Sequence, residues 1–151
     1  MKLFLLIILF ACFVCLASFV YLFYILRKNL YKDLGYICKY LKNNISFNKN
    51  NINILLTNCF KDISRNSRYL IENNSKQVST LVAGKNNKNL LRDFFKSLGK
   101  GDVDYEINNL NYYETNFENN LKSSTEELKT KGQVYFKLII GLGLIVCILL
   151  I

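Results

Sequence analysis

The sequence predicts an all-α protein, a small antiparallel helical bundle between two transmembrane helices. Three observations lead there. The chain of 151 residues contains no proline, so long helices meet no obligatory break. Both ends are almost wholly apolar, while the middle carries nearly all of the charge. Apolar residues recur at steps of three, four and seven, and no sustained period-2 run appears.

The first apolar block covers residues 3–26, where only Ser18, Tyr21 and Tyr24 carry side-chain hydroxyls. At about 1.5 Å rise per residue, a helix over this block exceeds a hydrocarbon core of roughly 30 Å. The second block, residues 134–151, is broken only by Lys137. It is short for a span, but Tyr135 and Phe136 suit the interface and Lys137 can snorkel. A cleaved signal peptide is the alternative at the N-terminus. Against it, the apolar run exceeds the usual h-region of roughly 7–15 residues, and only Lys2 supplies an n-region. The stretch Leu9-Phe10-Ala11-Cys12 is a poor lipoprotein box because Phe10 is bulky. A buried core helix is the alternative at the C-terminus. Apolar residues all round the helix argue for a span, since a soluble domain needs only a stripe.

Charge sets the orientation. Arg27, Lys28 and Lys32 follow the first span, and Lys129, Lys131 and Lys137 flank the second. Basic flanks stay cytoplasmic, so the middle is expected in the cytosol and both ends outside. The expected organisation is a transmembrane helix at 1–26, a cytosolic helical domain at 27–133 and a transmembrane helix at 134–151.

Within the middle, Leu30, Leu34, Ile37 and Leu41, with Tyr40 beside them, form the stripe of an amphipathic helix that continues the first span. Asn43-Asn44 and Ser46-Phe47-Asn48 read as a loop. A second helix carries Ile52, Leu55, Leu56, Cys59, Phe60 and Ile63. A third holds Tyr69, Leu70 and Ile71, and a fourth is suggested around Val78, Leu81 and Val82. Ala83-Gly84 with Asn86-Asn87 is a stop. Leu90, Leu91, Phe94, Phe95 and Leu98 then stripe a short helix, and Gly99 stands where a left-handed C-terminal cap is wanted. Asp102 reads as the N-cap of a last long helix. Val103, Ile107, Leu110, Tyr113, Phe117, Leu121 and Leu128 make its stripe. This helix is expected to run on through Lys129–Lys137 into the second span, although Gly132 weakens the junction by about 1 kcal/mol.

The formal net charge is +9, but it is patterned. Residues 27–100 hold fifteen Lys/Arg against four Asp/Glu, whereas residues 101–128 hold one Lys against seven Asp/Glu. Four readings follow. The acidic helix can pair with basic neighbours, each exposed pair contributing little. It can dock a charged partner. The basic helices can be drawn to anionic lipid heads, at about 1 kcal/mol per residue near the surface. Nucleic acid is the weakest reading because no matching motif is present, and it is not expected as a partner.

Catalytic sets are missing. There is no histidine, the commonest general base, and none to activate Cys38 or Cys59. Cys12-x-x-Cys15 lies inside the first span with no second pair, so no metal site is expected. Gly99-Lys100-Gly101 is too short for a phosphate loop. Glu126-Glu127 point apart on a helix. No cofactor and no enzymatic activity are expected. Gly141-x-Gly143 is modest support for helix packing in the second span.

Two local patterns carry a family resemblance. Leu98-Gly99-Lys100-Gly101-Asp102 looks like a Leu-Gly-x-x-Asp turn opening a last long helix. Lys131-Gly132-Gln133-Val134-Tyr135, continuing through Leu138 and Gly143 to Ile151, looks like a juxtamembrane segment and Gly-Leu-rich closing span. Together with the order of elements over the full length, the chain resembles the stage III sporulation protein AB family of endospore-forming bacteria. It departs from that pattern at Glu106, where Gln is usual, at Ile139, where Gly is usual, and in lacking a mid-domain tryptophan.

The resemblance implies a fold similar to the cytoplasmic domain of the type II secretion F protein. It implies a non-enzymatic platform subunit of the stage III sporulation AA–AH complex, made in the mother cell and held in the membrane around the forespore. Its partner would be the AA protein, a cytosolic secretion-type ATPase, with membrane lipids and a homo-oligomer as further associations. Leu98, Gly99 and Asp102 are then a helix cap or an interface, and Gly141 and Gly143 a packing surface between spans. A membrane-tethered helical adaptor or signalling protein, and a holin-like pore former, are the alternatives.

Overall fold

The computed structural model describes residues 2–47, 52–73, 80–84 and 87–150. In chain order the elements are α1 (Lys2–Phe47), α2 (Ile52–Asp62), α3 (Arg65–Asn73), α4 (Thr80–Ala83), α5 (Lys88–Ser97) and α6 (Val103–Glu127). A single π turn (Leu128–Gly132) and α7 (Gln133–Leu149) follow. Among the described residues there is no strand. The chain divides into two compact units, one of Leu26–Ser123 and one of Met1–Ile25 with Ser124–Ile151.

The unit of Leu26–Ser123 is a helical bundle built on the second half of α1. Leu30, Leu34, Ile37 and Leu41, the stripe read from the sequence, are fully buried together with Tyr31 and Cys38. Burying each such side chain contributes about 1.5–3 kcal/mol. Helix α1 runs to Phe47, so the loop expected from Asn43 onward is not there. The reason is local. Ile45 extends the buried stripe, and the Asn44 side-chain amide donates to the Tyr40 carbonyl at 2.8 Å, which satisfies it inside the helix. Asn48 lies outside the described residues.

Leu55, Cys59 and Ile63 of the α2 segment and Ile71 of α3 complete one side of the core. Helix α3 is started by Ser64, whose hydroxyl accepts the Ser67 amide N–H at 3.3 Å and donates to Asp33 on α1 at 2.6 Å. Of the fourth helix expected around Val78, Leu81 and Val82, a short piece, α4, is present and Val82 is buried. Val78 lies outside the described residues. The carbonyls ending α4 are met by α1: Arg27 Nε donates to Val82 O at 2.9 Å and Tyr31 Oη to Ala83 O at 2.5 Å. Asn87 Nδ2 in turn donates to Tyr31 Oη at 2.9 Å and to Asn120 Oδ1 at 3.2 Å, tying α6 to the same node.

Helices α5 and α6 form an antiparallel hairpin around an aromatic cluster. The Phe94 ring centroid lies 5.1 Å from that of Tyr113 and 5.2 Å from that of Phe117. Both contacts are edge-on, the arrangement that ring quadrupoles favour. Of the expected α6 stripe, Leu110, Tyr113 and Phe117 are buried, but Val103 is 43% exposed. Its place at the start of the inward face is taken by Glu106. Helix α6 also lies antiparallel to α1, where Lys42 Nζ meets Glu114 Oε2 at 2.7 Å and Lys39 Nζ meets Glu118 Oε1 at 2.9 Å. The hydrogen bond and charge of Lys39 hold the Glu118 carboxyl below its ordinary range. The internal reading of the charge pattern therefore holds at Glu114 and Glu118.

The second unit is an antiparallel pair made by the first half of α1 and by α7. Tyr21 packs on Phe136 with ring centroids 5.7 Å apart, and the Cys147 thiol lies 3.9 Å from the Leu6 carbonyl. Elsewhere the surface is apolar: Phe4, Leu5, Phe19, Leu138, Ile145 and Leu149 are all more than half exposed. The helices Phe4–Ile45 and Val103–Leu149 each contain a stretch long and apolar enough to cross a membrane.

The node at Tyr31 can be tested directly. Tyr31→Phe preserves packing but removes the hydroxyl that serves Ala83 and Asn87. Denaturation of the detergent-solubilised chain should show a loss of about 1–3 kcal/mol. Lys39→Ala, at an exposed pair, should cost less than about 1 kcal/mol.

Candidate functional site

The turn between α5 and α6 brings Leu98, Gly99 and Asp102 together. Leu98 leaves the helix with an extended backbone, φ −64° and ψ 133°. Gly99 follows at φ +76°, in the left-handed region where a side chain is strained. Asp102 caps α6, its Oδ1 accepting the Tyr105 amide N–H at 2.9 Å. A residue that the motif does not include completes the turn. Glu106 is 2% exposed, and its Oε1 accepts the amide N–H groups of Lys100 at 2.9 Å and Gly101 at 3.2 Å. Its Oε2 is buried with no hydrogen-bond partner among the described residues. From the sequence, Glu106 stood out only as a departure from Gln. The signal that finds it is the four-residue step from the cap, which lets a long acceptor reach back over the turn.

Gly101 has a different reason to be glycine. Its added Cβ would collide with the Tyr105 ring, which lies against the turn. Asn109 Nδ2 donates to Ser97 Oγ at 2.8 Å, and Ser97 Oγ donates to the Phe94 carbonyl, closing the hairpin above the aromatic cluster.

The turn, α6 and α7 all fall inside the region by which the chain can be compared with known families. A family model described as stage III sporulation protein AB matches residues 72–151. The chain belongs to the stage III sporulation protein AB family. Membership gives it a role in sporulation. No curated protein and no solved structure matches the chain.

The matched region also holds the π turn, which sequence reasoning missed. The flanking residues are ordinary helix, Glu127 at φ −60°, ψ −39° and Gln133 at φ −69°, ψ −37°. Between them the hydrogen-bond register slips, so that the Gln133 N–H reaches the Leu128 carbonyl. The consequence is read in the packing. At 100° per residue, Glu106, Leu110, Tyr113, Phe117 and Ser124 share one face of α6, and all are buried. An uninterrupted α-helix would continue that face through Lys131, Tyr135 and Leu142, all of which are exposed. The extra residue in the π turn carries the face instead to Gly132, Phe136, Gly143 and Cys147. The packing face therefore meets a glycine where it would have met a lysine.

The two glycines on that face are tight to different degrees, and Gly143 is the one with no room for a side chain. A Cβ on Gly132 would sit 3.4 Å from the Tyr24 ring and 3.2 Å from Leu128, and one on Gly143 would come within 2.8 Å of Phe13 Cβ. Gly141 is different: a Cβ there would meet nothing within 4 Å. Of the Gly141 and Gly143 pair, only Gly143 lies in the contact between α7 and α1.

No arrangement of reactive groups accompanies these features among the described residues. No group of three or more His, Cys, Asp or Glu is placed to hold a metal ion. Burial pushes the Cys59 thiol up to about 12, and the fully buried Cys38 thiol is raised as well. Neither is poised as a nucleophile.

Two expectations follow. Glu106→Ala leaves two amide N–H groups without their acceptor and should cost about 1–3 kcal/mol in thermal or chemical unfolding. Glu106→Gln keeps the acceptor and should stay within about 1 kcal/mol of the parent. Deleting Thr130, inside the π turn, should leave a regular α-helix with both faces in place, so the helical content and melting temperature should hold. Deleting Asn119, inside α6, should rotate all that follows by about 100° and lower the melting temperature sharply.

Proposed function

We propose that the chain is a non-enzymatic membrane platform subunit of the sporulation complex that joins mother cell and forespore. In this reading the two apolar stretches span the membrane, the bundle lies in the cytosol, and the bundle docks a secretion-type ATPase to the membrane. The observation that carries it is the pairing of a closed helical bundle with an apolar helix pair in one sporulation-family chain. The carboxylates of α6 and its cap support it. Asp102 and Glu106 hold a turn, and Glu114 and Glu118 hold α1, so they act as structural fasteners. Charge supports the orientation, because Arg27, Lys28 and Lys32 on one side and Lys129, Lys131 and Lys137 on the other flank the apolar stretches. A platform transmits binding and force, and it needs rigid elements more than reactive ones.

Two measurements test this reading. Cys38 and Cys59 are fully buried, so topology must be probed at an introduced thiol such as Asn66→Cys on the exposed side of α3. An impermeant thiol reagent should label it only after the cells are opened; labelling of intact cells would overturn the cytosolic placement. The full chain, solubilised from sporulating cells, should co-purify with the AA ATPase. A well-folded chain that retains none of it would overturn the docking role.

A further inference from the structure

Two surfaces of the bundle carry opposite charge and are open among the described residues. The first is the outer face of α6. The inner face holds Leu110, Tyr113 and Phe117, so Asp104, Tyr105, Asn108 and Tyr112 share the side turned outward, and all four are exposed. Tyr105 is 51% exposed and Tyr112 60% exposed. The Tyr105 ring takes the space a Gly101 Cβ would fill, so it is seated against the turn. No Lys or Arg occurs on α6 before Lys122. Glu114 and Glu118 are taken up by lysines of α1, which leaves Asp104 to give this face its sign.

The second surface is a shallow cleft of about 390 Å³ lined by Thr57, Phe60, Lys61 and Arg68. Arg68 Nε is buried there and has no hydrogen-bond partner among the described residues. Lys61 Nζ lies 3.5 Å from Asn58 Oδ1. Asp33 and Asp62 accept the Ser64 and Tyr36 hydroxyls, and neither lines the cleft. The lining of the cleft is thus basic, with an aromatic wall.

These surfaces lie on different flanks of α1. Helix α6 meets α1 at Lys39 and Lys42, whereas the α2–α3 segment meets it at Asp33 and Tyr36. At 100° per residue the two pairs are about 120° apart around the helix. One copy of the bundle cannot bring its own two surfaces together.

We propose that the outer face of α6 docks into the α2–α3 cleft of a second copy of this chain, Asp104 facing Lys61 and Arg68 while a tyrosine ring enters against Phe60. Tyrosine and arginine are the residues that most often anchor interfaces, and a guanidinium stacks readily on an aromatic face. Lipid heads and nucleic acid are anionic and would be repelled by Asp104, so neither suits the α6 face. Joining two different surfaces makes the contact head-to-tail, and such contacts repeat into a ring or an open row. None of this depends on ATPase docking.

Mass measurement and cross-linking of the full chain in detergent test the contact. The parent chain should form assemblies larger than a monomer. Tyr112→Ala and Asp104→Lys should each weaken association at least about tenfold while helical content stays unchanged. Combining Asp104→Lys with Lys61→Glu on one chain should restore it. In a background lacking Cys12, Cys15 and Cys147, a copy with Asn108→Cys should cross-link to a copy with Arg65→Cys. Cross-links from 108 to 108 without any from 108 to 65 would show two-fold pairing and overturn the head-to-tail contact. A monomeric parent would overturn it too. If Tyr112→Ala then still blocked sporulation, the face would belong to a different, basic protein.

Discussion

The bundle depends on a single stretch of α1, residues 27–45. Its inward side supplies the fully buried Leu30, Leu34, Ile37 and Leu41. Its polar positions are spent on neighbours: Arg27 and Tyr31 hold the end of α4, Asp33 holds the start of α3, and Lys39 and Lys42 hold α6. Short helices such as α3 and α4 would be marginal alone, because nucleation is costly and their ends leave backbone groups unmet. They persist because α1 supplies both the apolar contact and the missing partners. The order of the polar positions along α1 fixes where each short helix attaches.

The second unit rests on a different balance. Its two helices touch where aromatic rings meet small residues, Tyr24 at Gly132 and Phe13 at Gly143, besides the Tyr21–Phe136 contact, and many of their large side chains are exposed. In hydrocarbon, outward leucines lose nothing, and close approach of backbones becomes the source of attraction. The same chain therefore packs large side chains on one another in the bundle, and in the helix pair also seats aromatic rings on glycines.

Much of this was legible in the sequence. The stripe of α1, the hairpin of α5 and α6, the cap at Asp102 and the left-handed Gly99 all obey local rules of period and backbone freedom. Three features escaped because they depend on tertiary partners. The asparagines at 43 and 44 signal a loop, but Ile45 had a core to enter and the helix continued. Val103 fits the α6 stripe by spacing, yet the inward position went to Glu106, whose acceptor serves two amides of the turn. The π turn escaped because the stripe fails only where it reaches Lys131. Weighing that lysine against the neighbouring Gly132 would have exposed the slip in phase. The family pattern was legible because it consists of these same capping and packing residues.

The π turn has a consequence for how chains of this family can differ in length. A regular helix is intolerant of gaps, since one residue more or less turns every later side chain to a new bearing. Here a whole surplus residue is absorbed within Leu128–Gly132 and the bearing is preserved on both sides. In an alignment of relatives, a one-residue gap opposite this turn is structurally silent, whereas the same gap elsewhere in the 47-residue stretch Val103–Leu149 would break one face or the other. The turn is the joint at which the helix of the bundle and the apolar helix that follows it can change length separately.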